Sequence, residues 1–493
     1  MHKKLFALIL ACLIFCTACT PAAQGPAETT QAPTEAATLP PETTAPPTEP
    51  VETEPPYALE KEVVAYFANW YLDTRTAQEG AEVCSIPWDK VTYINHAFWM
   101  VEPADGSTDT SWDRLAQGAE PRTSFRIAST LPEADFDNQD PSTMIDGLAR
   151  NHFDQYAYFS EQYPEVNILI SIGGWSRCGY LSEMAYTPEG RQSFVDSCME
   201  LMEQHPWIDG YDIDWEYFGG SKDGARKPED DNDQGCPIWG TVEEDSENFG
   251  ELAKLLRETM DAKYGEGVKK LTACASASTG WTLPLQNWRL VHPYMDLVNI
   301  MTYDMAGVWD KVTGHASRLQ HCKDAVNVMM RGYKVPLYKM CIGTPLYGTD
   351  LKMVTIPKSG NPSGASVESK APGGTELVID QTLMRQWESE AVSGYTIDWV
   401  DGKPVLGETF DNGGTGWHMG YDKSLRGAYL WNDDENSEYY KWYISYETAL
   451  TLQDKLDYIN DSGIAGLIVW ECANDTYDHI FITQMADNLL DQE

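Results

Sequence analysis

The residues best able to move protons sit together in DGYDIDWEYF, from Asp209 to Phe218. Asp212, Asp214 and Glu216 alternate with Ile213 and Trp215, the pattern of a strand whose two faces meet different surroundings. On that spacing the three carboxyls share one face and the two large apolar side chains share the other. Buried carboxyls this close cannot all ionise cheaply. Burial and mutual repulsion push at least one pKa up, leaving an acid that donates a proton near neutral pH. Glu216, last in the row, is placed for that work, with Asp214 beside it and Asp212 one step deeper. Asp209 has the opposite parity and is assigned a structural role. An EF-hand calcium loop is a rival, but the sixth residue counted from Asp212, where that loop needs glycine, is Tyr217. A carboxylate magnesium site stays open on the residues alone; no metal and no cofactor is assigned.

The acid row needs a frame. Apolar, β-rich runs recur at 63–67, 91–98, 166–172, 209–215, 271–277, 296–303, 340–347 and 464–470. Between them lie stretches with apolar residues at three- and four-residue spacing, such as 193–205, 246–264 and 454–461. Strands alternating with helices indicate parallel βαβ units, and eight of them predict an α/β fold, a closed (β/α)8 TIM barrel. An open doubly wound sheet is the alternative, but no GxGxxG follows the first run. In the barrel, Glu216 falls at the C-terminal end of strand four, where active sites of this fold lie. Residues 349–443 break the rhythm and are expected to form an α+β insertion domain between strands seven and eight, walling one side of the site. Within it SGYTIDWVDGKPV (393–405) reads as a hairpin turning at Asp401-Gly402.

The DxxDxDxE formed by Asp209, Asp212, Asp214 and Glu216 resembles the signature of glycoside hydrolase family 18, the chitinases and their relatives. Other segments resemble that family in the same order: YFANW (66–70), NHAF (95–98), SIGGW (171–175), MTYD (301–304) and VWE (469–471). The resemblance spans roughly residues 60–480. It implies retaining hydrolysis of β-1,4 bonds in N-acetylglucosamine-containing glycans, with the substrate's own acetamido group as nucleophile. By the same resemblance Glu216 is the acid and then the base, Asp214 orients the acetamido group, Asp212 tunes Asp214, and Tyr303 holds the acetamido oxygen. Trp470 is expected under the distorted sugar, with Tyr66 and Phe98 beside it and Trp175 across the cleavage point. Tyr217, Met301, Asp304 and Tyr347 are expected to line the same pocket; for Met301 and Phe98 plain core packing stays open. Chitin or chito-oligosaccharides are the expected substrate. An endo-β-N-acetylglucosaminidase acting on N-glycans or peptidoglycan is the alternative. A non-catalytic chitin-binding lectin comes third, because such relatives typically lose the last acid of the motif. The chain departs from the family pattern at Phe218, where proline is frequent, and at Thr349, where an arginine is common. Its loop 219–239 is also long and acidic.

Residues 1–19 read as a signal peptide, with Lys3 and Lys4 before an apolar run, and end in Cys16-Thr17-Ala18-Cys19. That end resembles a lipobox with Cys16 in place of the usual leucine, which makes Cys19 the expected lipidation site and an exported, surface-anchored or secreted protein the expected product. Residues 20–58 are a Thr/Pro/Glu-rich linker, unable to bury enough surface to fold. Extended, its residues 20–56 would reach up to about 110 Å. The catalytic barrel is assigned to 59–493. A net charge of −41 argues against nucleic acid as a partner. A monomer is expected, touching a membrane only through its lipid. Cys84, Cys178, Cys198, Cys236, Cys274, Cys322, Cys341 and Cys472 form no close CxxC pair, which argues against a zinc site. Cys178 and Cys236 fall in neighbouring rim loops, and a disulfide between them is left open.

Overall fold

The computed structural model describes residues 60–71, 82–137, 151–228, 235–358, 360–368 and 379–490. The expected signal peptide, Cys19 and the linker lie outside the described residues. In chain order the first strands are β1 (Glu62–Ala68), β2 (Tyr93–Pro103), β3 (Phe125–Ser129), β4 (Asn167–Gly173), β5 (Gly210–Asp214), β6 (Lys270–Ser276), β7 (Leu297–Met301) and β8 (Met340–Pro345). Next come β9 (Thr349–Met353), β10 (Val367–Glu368), β11 (Ser393–Val400), β12 (Lys403–Asp411), β13 (Trp417–Asp422), β14 (Gly427–Asn432), β15 (Trp442–Tyr446) and β16 (Gly466–Trp470). The helices are α1 (Ser111–Gln117), α2 (His152–Gln162), α3 (Leu181–Tyr186), α4 (Pro188–Gln204), α5 (Val242–Tyr264), α6 (Trp288–Val291), α7 (Leu319–Tyr333), α8 (Gln381–Ser389), α9 (Ala449–Ser462) and α10 (Ile480–Leu489).

Eight strands run parallel in the order β1-β16-β8-β7-β6-β5-β4-β2, and β2 pairs back to β1, closing a barrel. The seam at β1–β16 depends on Gly466: a Cβ there would lie 2.0 Å from the Glu62 carbonyl oxygen. Strand parity then sorts the side chains. Ile168, Ile170, Ile172, Tyr211, Ile213 and Trp215 pack outward in one core with residues of α4 and α5, such as Phe194 and Phe249. Tyr66, Leu169, Cys274, Met301 and Ile468 form a separate cluster inside the barrel. The helices start where their sequences supply caps. The Thr187 hydroxyl accepts the Gly190 N–H ahead of Pro188, and Thr241 and Glu244 form a capping box on α5.

Two strands end earlier than their apolar runs suggest. β5 stops at Asp214, and β7 stops at Met301 because the next residue takes the ladder bonds with its side chain. The Thr302 hydroxyl donates to the Gly343 carbonyl at 2.7 Å and accepts the Gly343 N–H at 2.8 Å. The short β3 pairs antiparallel with the outer half of β2, from Trp99↔Ser129 to Pro103↔Phe125.

Between β8 and β16 the chain forms a second sheet, ordered β10-β9-β15-β14-β13-β11-β12. On one of its faces α8 packs Met384 and Trp387, the latter stacked on Trp417 at 4.6 Å between ring centroids. β11 and β12 form a hairpin turning through Asp401 and Gly402, with φ of 52° and 77°. Positive φ at both central residues suits Asp-Gly and matches the twist of paired strands. The sheet touches the barrel at the loop after β7: the Ala316 N–H donates to Ser445 Oγ at 2.9 Å, and the Tyr443 hydroxyl to the Gly314 carbonyl at 3.2 Å.

Candidate active site

The acid row enters the barrel interior from β5. Asp212 is wholly buried, and its two oxygens collect donors from four other strands. Tyr66 of β1 donates to Oδ2 at 2.9 Å and Ser171 of β4 to the same oxygen at 2.7 Å, while Thr272 of β6 and Asn299 of β7 donate to Oδ1 at 2.5 and 3.3 Å. Burial pushes the Asp212 pKa up, and those donors pull against it. Asp214, one step toward the rim, is served differently. Its Oδ1 is buried with no hydrogen-bond partner among the described residues. Burial, then the charges of Glu216 and Asp212, push its pKa well up. A carboxyl oxygen of this kind is an acceptor waiting for a donor.

Glu216 lies two residues beyond the strand, 8% exposed. Its pKa is raised to about 7, chiefly by burial; Arg226 and a hydrogen bond from Tyr217 pull it down, and Asp304 pushes it up. Gly173 makes the approach of β4 to this turn possible: its φ is 114°, and a Cβ would stand 2.1 Å from the Asp214 carbonyl oxygen. The Ala97–Phe98, Glu216–Tyr217 and Trp470–Glu471 peptide bonds are cis.

The remaining expected residues gather around this turn. Trp470 stacks on Phe98 at 5.4 Å and tilts against Tyr66 at 5.7 Å. Phe98, Tyr217, Tyr303 and Trp470 are the half-buried rim of the interior cluster that contains Tyr66 and Met301. Tyr303 packs against Gly343, where a side chain would collide with its ring at 2.6 Å, and stands edge-on to Tyr347 at 6.4 Å. The Tyr347 hydroxyl donates to Asp304 Oδ1 at 2.6 Å, and burial raises the Asp304 pKa. Trp175 follows the C-terminal end of β4, and the Arg226 guanidinium covers one face of its ring at 4.1 Å. Asp209 sits apart from the row: its carboxylate accepts the Ile168 N–H at 3.1 Å and Lys269 at 3.3 Å.

Several partners were not foreseen from sequence. Ser171, Thr272 and Asn299 are polar residues at inward positions of apolar strands, a signal that parity alone carries. Arg226 has no such signal. Trp281, 43% exposed after β6 with its N–H donating to Asp223 at 3.1 Å, and Trp309, 64% exposed after β7, place two partly exposed indoles on the rim loops. Cys178 and Cys236, the pair left open, are brought together as thiols within hydrogen-bond reach of each other.

A group with metal-ligand chemistry lies outside the row. His96, Asp135 and His152 are wholly buried on the outer side of β2, their ligand atoms within 4.8 Å of one another. Asp135 Oδ1 is 2.8 Å from His96 Nε2 and 3.4 Å from His152 Nδ1, and Oδ2 accepts from Ser129 at 2.5 Å, so the three groups serve one another as a hydrogen-bonded cluster.

Comparison with known proteins places this geometry. The glycosyl hydrolases family 18 profile matches residues 62–475. Chitinase ChiA of Flavobacterium johnsoniae is 25% identical over 460 residues, covering 84% of this chain and 27% of that protein. Chitinase A of Pseudoalteromonas piscicida is 24% identical over 464 residues, covering 86% of this chain and 52% of that protein. The chain thus spans about a quarter and about half of these two relatives. Among solved structures, the Group IV chitinase of Ostrinia furnacalis superposes with a TM-score of 0.65 at 21% identity, over 87% of this chain and 100% of that one. The same enzyme has been solved in complex with allosamidin.

Proposed function

Because the chain belongs to glycosyl hydrolase family 18, we propose that it is a chitinase-like hydrolase of β-1,4-linked N-acetylglucosamine chains, working with retention by substrate assistance. One observation carries this reading. Glu216, a carboxyl kept protonated up to about pH 7, stands next to Asp214, whose buried Oδ1 has no partner among the described residues.

Glu216 protonates the bridging oxygen, so the departing sugar leaves as a neutral alcohol. The acetamido carbonyl oxygen of the sugar left behind closes on the anomeric carbon, forming an oxazolinium ion. Asp214 accepts the amide N–H at its open oxygen. Its negative charge, costly beside Asp212 and Glu216, is balanced by the positive charge that develops on the ring. Asp212 is the fixed anchor of the row, its donors already committed. Tyr303 donates to the acetamido oxygen and aligns it. Water then opens the oxazolinium with Glu216 as base, and two inversions give net retention. Trp470 floors the cleft under the reacting sugar with Tyr66 and Phe98 behind it, while Tyr217, Met301, Asp304 and Tyr347 line the pocket and Trp175 lies on the leaving-group side.

The names of the two bacterial relatives and the allosamidin complex of the Ostrinia enzyme support chitin over N-glycans or peptidoglycan as substrate. We take the sheet β9–β15 as an insertion domain that walls the cleft, with Trp281 and Trp309 extending it. Export, lipidation at Cys19 and a linker that holds the barrel off the membrane complete the proposal; fatty-acid labelling that persists in a Cys19→Ala variant would refute the anchor.

The deciding experiment is a product profile on chito-oligosaccharides beside a high-mannose glycoprotein and purified peptidoglycan, with anomers read by NMR. Shorter chito-oligosaccharides released as β-anomers are expected, and Glu216→Gln should lose turnover while still binding. Release of α-anomers first, or cleavage of the glycoprotein or peptidoglycan alone, would overturn it.

A further inference from the structure

We propose that Arg226 is a positioning residue for Glu216: segment 219–228 carries its guanidinium between the Trp175 ring and the Glu216 main chain, where it holds the acid's backbone and supplies the positive charge that faces it. The inference rests on the reading of Glu216 as the proton donor.

The guanidinium carbon stands 4.1 Å from the Trp175 ring centroid, and Nη2 donates to the Glu216 carbonyl at 2.9 Å. On the other side of the same residue, the Glu216 N–H donates to Cys178 Sγ at 3.1 Å. Both main-chain polar groups of the acid therefore end on side chains from neighbouring loops rather than on a sheet ladder. That follows from β5 stopping at Asp214: beyond it no strand holds the backbone, yet the carboxyl has to be held to a fraction of an ångström for proton transfer.

The loop is built to deliver this residue. Gly219 and Gly220 turn it with φ of 72° and 68°. The Gly219 N–H is fixed by Asp245 Oδ2 at 2.7 Å, and the Lys222 N–H by the Trp281 carbonyl at 3.1 Å. The returning arm then clamps Arg226 itself, as the Cys236 N–H donates to the Arg226 carbonyl at 2.6 Å. A guanidinium suits the position because it can lie flat on an indole and donate in its plane at the same time, which an ammonium cannot.

The charge matters as much as the contact. Glu216 is faced by Asp214 from β5 and by Asp304 after β7, with Asp212 acting on Asp214 from one step deeper. The phenols Tyr217, Tyr303 and Tyr347 and the thiols Cys178 and Cys274 complete its surroundings and are neutral near pH 7. Burial raises the carboxyl pKa, Arg226 and then the Tyr217 hydrogen bond lower it, and the balance lies at about 7, where one group can serve first as acid and then as base.

The test uses the full chain and the variants Arg226→Met and Arg226→Lys. Glutamate labelled with 13C at the side-chain carboxyl reports the Glu216 titration by NMR without any substrate, its signal identified by its loss in Glu216→Gln. Arg226→Met should raise the midpoint by about one unit, and Arg226→Lys should restore most of that shift. The basic limb of kcat/KM on a chromogenic chitobioside should move up with it, kcat falling more than KM changes. An unmoved midpoint in a correctly folded Arg226→Met protein would overturn the inference. Should that variant fail to fold, Arg226→Gln is titrated against the same criterion. If the wild type cleaves no glycan, the hydrolase reading falls, and the NMR midpoint still decides the role of Arg226.

Discussion

Tyr66 and Asp212 meet inside the barrel, the phenol of β1 donating to the carboxylate of β5 at 2.9 Å across 146 residues of sequence. The same hydroxyl accepts from Asn299 Nδ2 at 3.2 Å, so it links two of the donors that hold the anchor of the acid row. Tyr66→Phe removes a charge-assisted bond from a buried carboxylate, expected to cost about 1.5–3 kcal/mol of stability and to lower kcat about tenfold. A double-mutant cycle with Asp212→Asn separates the two effects. If Tyr66→Phe costs as much in the Asp212→Asn background as in the wild type, the hydrogen bond is not the cause.

On the proposed mechanism the acetamido group is part of the machinery. Cello-oligosaccharides, which lack it, should bind the aromatic cleft and stay intact through incubations that consume chitopentaose. Asp214→Ala should lower kcat on chitopentaose by about 10²–10³-fold, the scale seen when one preorganised partner of a developing charge is removed. Comparable hydrolysis of the two sugars would sink the scheme.

The pH dependence has two faces. On the proposed mechanism activity needs protonated Glu216, so kcat/KM should fall as pH rises through about 7. Stability falls in the same direction. The folded-state pKa values of Glu216 and Asp245 are raised to about 7, above the ordinary 4.5 and 3.8 of these carboxyls. The stability linked to keeping these carboxyls protonated is fully present below the unfolded values and is lost as pH rises through about 7. Thermal melts should therefore decline between about pH 4 and pH 7, and Glu216→Gln and Asp245→Asn should each flatten that decline. A variant melting curve parallel to the wild type would count against the assignment.

Behind the cleft, Lys455 of α9 is 1% exposed and paired with Glu447, with Ser317 Oγ at 2.7 Å and Thr344 Oγ1 at 3.0 Å. Lys455→Met would leave Glu447 charged and buried without its cation, at a cost of about 3–5 kcal/mol. Removing both charges with Lys455→Met and Glu447→Gln should recover much of that loss. Urea melts of the two variants check the order.

The frame was readable because each barrel strand is a short apolar run between amphipathic helices, a pattern that only a sheet covered on its outside explains. The acid row was readable because alternation with Ile213 and Trp215 assigns a face to every residue, and both are found in the outer core. The Asp401-Gly402 turn was readable because its two residues are the ones that tolerate positive φ. β3 went unread because FRIAS is short and its burial comes from α4, with Ser193 and Ser197 hydroxyls taking the N–H groups of Phe125 and Ile127. Arg226 went unread for a different reason. A cation in an acidic loop looks like solvated charge, and its role depends on Cys236 and Trp175, residues that come near it only once the loop is folded.

The β1–β16 seam sets a schedule for biosynthesis. Residue 62 cannot find its partner at residue 466 until nearly the whole domain has left the ribosome, while β1 and β2 are both available early. A nascent chain would therefore carry a half-finished cylinder with one bare edge through most of its translation, inviting mispairing or capture by chaperones.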